Sequence, residues 1–178
     1  VDSLYDLSGN DFHFYQSNVS RSPQIIENST LNNRKGIYFD GNDFLTGITS
    51  ISDINSSSFT IYIVAEGGIL SDALDGTIFT FNTHYSQGFM ILQSKANQSF
   101  DIISKGIRKG TDSGSLPISG FEPKILSYQK NYNVESLFLI NDSIRGSTNV
   151  NQHIGNFNNG IPYMGSRGGT QRWFRGTI

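Results

Sequence analysis

The chain has 178 residues, 36% hydrophobic and 16% charged, with a net charge of −2 and no cysteine. That length fits one domain with a sizeable core, and low charge beside 12% aromatic residues excludes intrinsic disorder. The acidic balance argues against nucleic acid, and the lack of cysteine removes a disulfide scaffold, a thiol nucleophile and any Cys-ligated zinc.

In chain order, VDSLYDLSGN (1–10) reads as an interior start rather than a signal peptide. Residues 17–35 are polar and irregular and read as a surface loop. GIYFDG (36–41) and DFLTGI (43–48) read as strands around a Gly41-Asn42 turn, with Tyr38 and Phe39 on opposite faces. SSFTIYIVAE (57–66) puts Phe59, Ile61, Ile63 and Ala65 on one face and Thr60, Tyr62, Val64 and Glu66 on the other, the period of a strand. GILSDALDG (68–76) is where a helical turn fits, with Ser71 as N-cap, though a polar loop is the stronger reading. TIFTFN (77–82), GFMILQS (88–94) and SFDIIS (99–104) follow as strands, then a second polar stretch at 108–123. KILSYQK (124–130), SLFLIN (136–141) and IPYMGS (161–166) complete the strands, with turns at Asn141-Asp142 and Gly168-Gly169. Many short strands between Gly, Asn and Asp turns predict an all-β fold. Apolar residues on both faces of several strands suit a large sandwich with a sheet covered on its second face. No apolar run reaches the roughly 20 residues of a membrane helix.

Three passages, in order, resemble the laminin-G-like, concanavalin A-like lectin/glucanase superfamily in its bacterial form. They are YDLSGNDFHF (5–14), GIYFDGNDFLTG (36–47) followed by SSFTIYIVAE, and SLFLINDSIRGS (136–147) followed by IPYMGSRGGTQRWFRGTI (161–178). The resemblance spans the chain. It implies a jelly-roll β-sandwich of two antiparallel sheets, with residues 1–178 forming a single domain. At Asn141-Asp142 the family usually has Asn-Gly or Asp-Gly; Asp is a poorer second residue for a type I′ turn, so a wider turn or one of another type is expected. Phe174-Arg175-Gly176-Thr177-Ile178 matches the start of the family's last strand. Stopping at Ile178 reads as a fragment of a longer chain, with an unpaired C-terminal edge that the rest of the chain or other chains of an assembly can complete; the other reading is a last strand that is simply short.

The family includes glucanases, which carry Glu-x-Asp-x-x-Glu on one strand. Here Glu27, Glu66, Glu122 and Glu135 are scattered, and none has an acidic partner on its own strand face. No G-x-S-x-G elbow occurs, and His13, His84 and His153 do not cluster. His13 is expected to have a hydrogen-bonded structural role. The chain therefore reads as non-catalytic.

The resemblance also implies Ca2+ at the sandwich rim. Asp40, Asn42 and Asp43 in one bend, with Asp53 and Asn55 on the next loop, are the candidate ligands; the same residues are also ordinary turn formers. Sugar sites combine an aromatic platform with polar readers of the hydroxyls. GSRGGTQRWF (165–174) has that composition in Arg167, Gln171, Arg172 and Trp173, and His84 with Tyr85, and Tyr132 with Asn133, are further aromatic–polar pairs. Alternation points one of Trp173 and Phe174 inward and the other out; the resemblance implies Phe174 in the core, which leaves Trp173 exposed. Asn-x-Ser/Thr sequons at Asn18, Asn28, Asn55, Asn97 and Asn141 matter only in a eukaryote. The Asn/Ser/Ile/Lys bias looks like an AT-rich bacterium or its phage.

The expected function is a carbohydrate-binding or adhesion module of a larger extracellular or cell-surface protein. Its partner would be a glycan or a cell-surface protein. The alternative is a structural or assembly module of a secreted complex, filament or phage particle, and the third and least favoured reading is a glycan hydrolase or lyase. Membrane insertion is not expected.

Overall fold

Backbone pairing organises the chain into strands that alternate between two sheets. The computed structural model describes residues 1–28, 33–50, 58–69, 75–82, 88–94, 99–104, 107–110, 123–131, 135–148 and 160–178. Its strands are β1 Ser3–Leu4, β2 Phe14–Tyr15, β3 Gln24–Asn28, β4 Arg34–Asp40, β5 Leu45–Gly47, β6 Phe59–Gly67, β7 Gly76–Phe81 and β8 Phe89–Ser94. They continue as β9 Ser99–Ser104, β10 Ile107–Gly110, β11 Lys124–Asn131, β12 Glu135–Ile140, β13 Ser143–Thr148, β14 Pro162–Met164 and β15 Arg175–Thr177. One sheet has the order β1-β2-β5-β14-β7-β8-β9-β10, the other β13-β12-β11-β6-β15-β4-β3. All pairings between these strands are antiparallel. The all-β sandwich of two antiparallel sheets expected from the sequence is the observed architecture.

Period-two alternation turns one face of each sheet into the core. Ile63, Ala65, Leu126, Tyr128, Phe138 and Ile140 from the seven-stranded sheet meet Phe79, Phe81, Phe89, Ile91, Phe100 and Ile102 from the other. Phe89 is the hinge of this contact. Its ring centroid lies 4.9 Å from Tyr128 and 5.8 Å from Phe59, both across the sandwich, and 5.8 Å from Phe79 and 5.9 Å from Phe81 beside it. Offset and tilted rings at such separations add attraction beyond area burial.

Strands β7 and β8 are buried along their whole length. Met90, Leu92 and Ile103 make a second buried apolar cluster, on the face of the sheet opposite the core-facing Phe89, Ile91 and Ile102. A bulge between Thr77 and Phe79 interrupts the alternation of β7. In a regular strand Thr77 and Phe79, two residues apart, would point the same way; with Ile78 as the extra residue, Phe79 faces the core opposite Ile91 while Thr77 pairs with Leu92.

The structure differs from the sequence reading at several elements. The polar stretch 17–35 contains a 3-10 turn, Val19–Arg21, and strand β3. β3 is an edge strand with Gln24, Ile25 and Glu27 exposed, so it lacks the one-sided pattern that marks a half-buried strand. The turn at Asn141 and Asp142 is a tight two-residue one with φ of 49° and 61°. Asn141 explains it: its backbone N–H donates to the Ile125 carbonyl (2.8 Å) and its Oδ1 accepts from the Ile125 N–H (2.9 Å), so the turn is held from β11. The region proposed for a helical turn falls largely in 70–74, outside the described residues, as does most of the second polar stretch.

The last strand is not an open edge. β15 lies inside its sheet, with Arg175, Gly176 and Thr177 opposite Asp40, Phe39 and Tyr38 on one side and Gly176 and Thr177 opposite Gly67 and Glu66 on the other. Ile178 exchanges two backbone hydrogen bonds with Ile37 (2.8 and 3.0 Å). β13 and β3 end this sheet instead. The fit of β15 depends on Gly176, whose φ is +152° and where a Cβ would stand 2.1 Å from the Glu66 carbonyl oxygen. Gly176→Ala is expected to destabilise the chain by at least ~2 kcal/mol in chemical denaturation, because strain and collision add. Gly9, at φ +85° with open space around it, is the control: Gly9→Ala is expected to cost about 1 kcal/mol, the backbone contribution alone.

Candidate functional site

The bend after β4 is closed by its own side chains. Asp40 Oδ1 accepts from the Asn42 N–H and Asp43 Oδ2 accepts from the Asp40 N–H, both at 2.9 Å, with Gly41 at φ +103°. Asp43 is only 4% exposed. Burial pushes its carboxyl above the ordinary aspartate range, and the Asp40 charge acts in the same direction. The chain then crosses to the other sheet through Phe44, whose N–H donates to the Arg21 carbonyl (3.1 Å) and whose carbonyl accepts from Gln16 Nε2 (3.1 Å).

Between β14 and β15 the chain makes a hairpin. The Phe174 N–H donates to the Gly165 carbonyl and the Arg167 N–H to the Gln171 carbonyl, each at 2.9 Å. Gly168 and Gly169 provide the turn at φ +66° and +70°, and the Gly169 N–H donates to Ser166 Oγ (3.0 Å). Phe174 is fully buried, 6.1 Å from the Phe39 ring, the core position that the resemblance implied.

Trp173 is not the exposed platform expected. It is partly buried, with its ring 5.8 Å from Phe44 and the Arg21 guanidinium 5.4 Å above it. Arg21 also donates to the Gly169 carbonyl (3.3 Å). Arg172 adopts φ +55° and directs its guanidinium to Asp75 (3.2 Å), in a pair whose side chains are 23% and 14% exposed. These contacts fix the hairpin's base and leave Thr170 and Gln171 exposed at its tip, with Arg167 half-buried.

The root of the hairpin rests on the bend: a Cβ on Gly165 would stand 2.9 Å from the Asp43 carbonyl oxygen and 2.3 Å from the Phe39 ring. The fold thus brings Asp40, Asn42 and Asp43 to the same rim as Arg167, Gln171, Arg172 and Trp173. Among the described residues no group of three or more His, Asp or Glu side chains is placed to hold a metal. Asp53 and Asn55, and His84, Tyr85, Tyr132 and Asn133, lie outside the described residues.

The N-terminal motif is structural in the same sense. Asp6 accepts from the Ser8 N–H (2.8 Å), the Ser8 hydroxyl (2.7 Å) and the Phe12 N–H (3.2 Å), and the bonds from Ser8 hold its pKa below the ordinary value. His13 Nδ1 accepts from the Asp6 N–H (3.0 Å), the hydrogen-bonded role expected of it.

A second surface was not anticipated from the sequence. On the outer face of the seven-stranded sheet, Tyr38, Glu66, Gly67, Gly68, Ile69, Arg175, Gly176 and Thr177 line an open groove of about 390 Å³. Alternation placed Tyr38 and Glu66 on the outward faces of their strands. Their nearness follows only from β15 pairing with both strands.

No family model matches the chain, and no curated protein matches it. Among solved structures it is similar to the binding domain of paraclostridial mosquitocidal protein 1, with a TM-score of 0.68 and 20% identity over 97% of this chain. The chain spans 44% of the length of that structure. It is also similar, at a TM-score of 0.47 and 12% identity over 88% of each chain, to the carbohydrate-binding module CBM66 from Bacillus subtilis. The first likeness is one of fold.

Two outcomes test this description. Arg172→Ala removes the 3.2 Å ion pair to the mostly buried Asp75 carboxylate, and is expected to lower stability by about 1–3 kcal/mol in chemical denaturation. For Asp43, burial disfavours the charged form, so the fold loses stability as pH rises through the raised pKa and regains it as pH falls. Asp43→Asn keeps an oxygen for the Asp40 N–H and removes the charge. It is expected to be more stable than the parent at pH 7, by a margin that narrows as pH is lowered, in urea melts at stepped pH. A margin that stays constant contradicts the assignment.

Proposed function

We propose that the chain is a non-catalytic binding module of a larger extracellular or cell-surface protein, and that its ligand is a glycan. The observation that carries this reading is the built rim. A polar hairpin is fixed from below by Phe44, Arg21 and Asp75 and presents Gln171 and Thr170 outward. A loop already held in one shape loses little entropy on binding, and rigid scaffolds carrying polar loops are the usual arrangement of recognition sites.

Two further points support it. The fold is shared over nearly the whole chain with a domain described as the binding domain of a toxin. The described glutamates Glu27, Glu66 and Glu135 stand on three different strands, β3, β6 and β12, unlike the paired carboxylates that glycoside hydrolysis needs. The alternative of an assembly module loses its main argument, because β15 is paired on both sides.

A glycan array probed with the labelled, folded chain is the test. Retention on at least one glycan, with that glycan recovered uncleaved by chromatography after long incubation, is expected. A folded chain that binds no glycan contradicts the reading, and release of shortened products contradicts its non-catalytic part.

A further inference from the structure

The groove on the outer face of the seven-stranded sheet has the composition of a sugar site. Its geometry follows from register. Thr177 of β15 stands opposite Tyr38 of β4 on one side and Glu66 of β6 on the other, and Gln24 of β3 stands opposite Tyr38. Directly opposed residues share a face, so Gln24, Tyr38, Thr177 and Glu66 form one row across four strands. At ~4.8 Å per strand that row is roughly 14 Å long. In the neighbouring row Arg175 stands opposite Asp40. Gly67, Gly68 and Gly176 contribute no side chain, and Ile69, 74% exposed, forms an apolar wall.

We propose that this groove seats one neutral sugar residue, an assignment that rests on the glycan reading above. The Tyr38 ring takes the apolar face of the sugar. The Glu66 carboxylate accepts from hydroxyls and the Arg175 fork donates to a vicinal pair of oxygens, while Thr177, only 3% exposed, forms the floor between Tyr38 and Glu66. The volume lies in the range of small-molecule sites. Charge sets the class of sugar. The lining holds one carboxylate, Glu66, and one guanidinium, Arg175, so the groove has no net charge to draw sialic or uronic acids in preference to neutral glycosides.

Backbone amide chemical-shift mapping of the isotope-labelled chain tests the proposal. The probes are methyl glycosides of glucose, galactose and mannose, with N-acetylneuraminic acid as the anionic comparison. Saturable shifts at Tyr38, Glu66 to Ile69 and Arg175 to Thr177 are expected with at least one neutral glycoside. Tyr38→Ala, with its spectrum otherwise preserved, is expected to weaken that binding about tenfold or more, whereas Tyr38→Phe keeps the ring and the affinity. If a neutral glycoside shifts only residues 165–174, the glycan reading stands and the groove assignment falls. If the anionic sugar binds the groove more tightly, the neutral class is wrong. If no sugar shifts any resonance, the groove assignment falls, and the glycan reading falls with it only if the glycan array is blank as well.

Discussion

The three residues of β15 hold together what matters on this molecule. Arg175, Gly176 and Thr177 are bonded to β4 and β6 at once, and no side chain fits at the middle position. Phe174, just before them, is sealed in the core against Phe39. The hairpin therefore starts from a fixed point in one sheet and ends at a fixed point in the other. The same insertion puts Thr177 between Tyr38 and Glu66, two residues that no local sequence feature connects.

The core supplies the rigidity behind that insertion. Phe89 touches rings from both sheets, and the sandwich closes around it. The bulge at Ile78 shifts the register of β7 so that both Ile78 and Phe79 join the core, while the Ile78 carbonyl accepts from the Gly165 N–H at the root of the hairpin (3.0 Å). Packing irregularity in one sheet is thus coupled directly to the position of the rim. Arg21, Phe44 and Asp75 finish the work from the sides.

Most of the core was legible because alternation is a local signal: Phe59, Ile61, Ile63 and Ala65 declare their face within one strand. β3 was hidden because an edge strand with exposed side chains on both faces carries no such pattern. The burial of Trp173 was hidden for a different reason. Its partners Phe44 and Arg21 come from distant segments, and alternation gives the direction of a side chain but not what waits there. The tight turn at Asn141 and Asp142 likewise depends on Ile125, a neighbour supplied by tertiary pairing. The groove is the extreme case, since its residues are ordinary in each strand and become a site only through register.

The bend and the hairpin, read from the sequence as separate calcium and sugar candidates, meet at one rim and hold each other in place through Gly165 and Asp43. The groove begins at the next strand, where Arg175 stands opposite Asp40. Rim and groove are thus neighbours along the chain, joined where Arg175 pairs with Asp40. The most direct measurement is a crystal structure of the chain with a saturating neutral glycoside. The account predicts a sugar ring stacked on Tyr38 with its hydroxyls on Glu66 and Arg175. A sugar seated elsewhere, or a groove left empty at saturation, would contradict it.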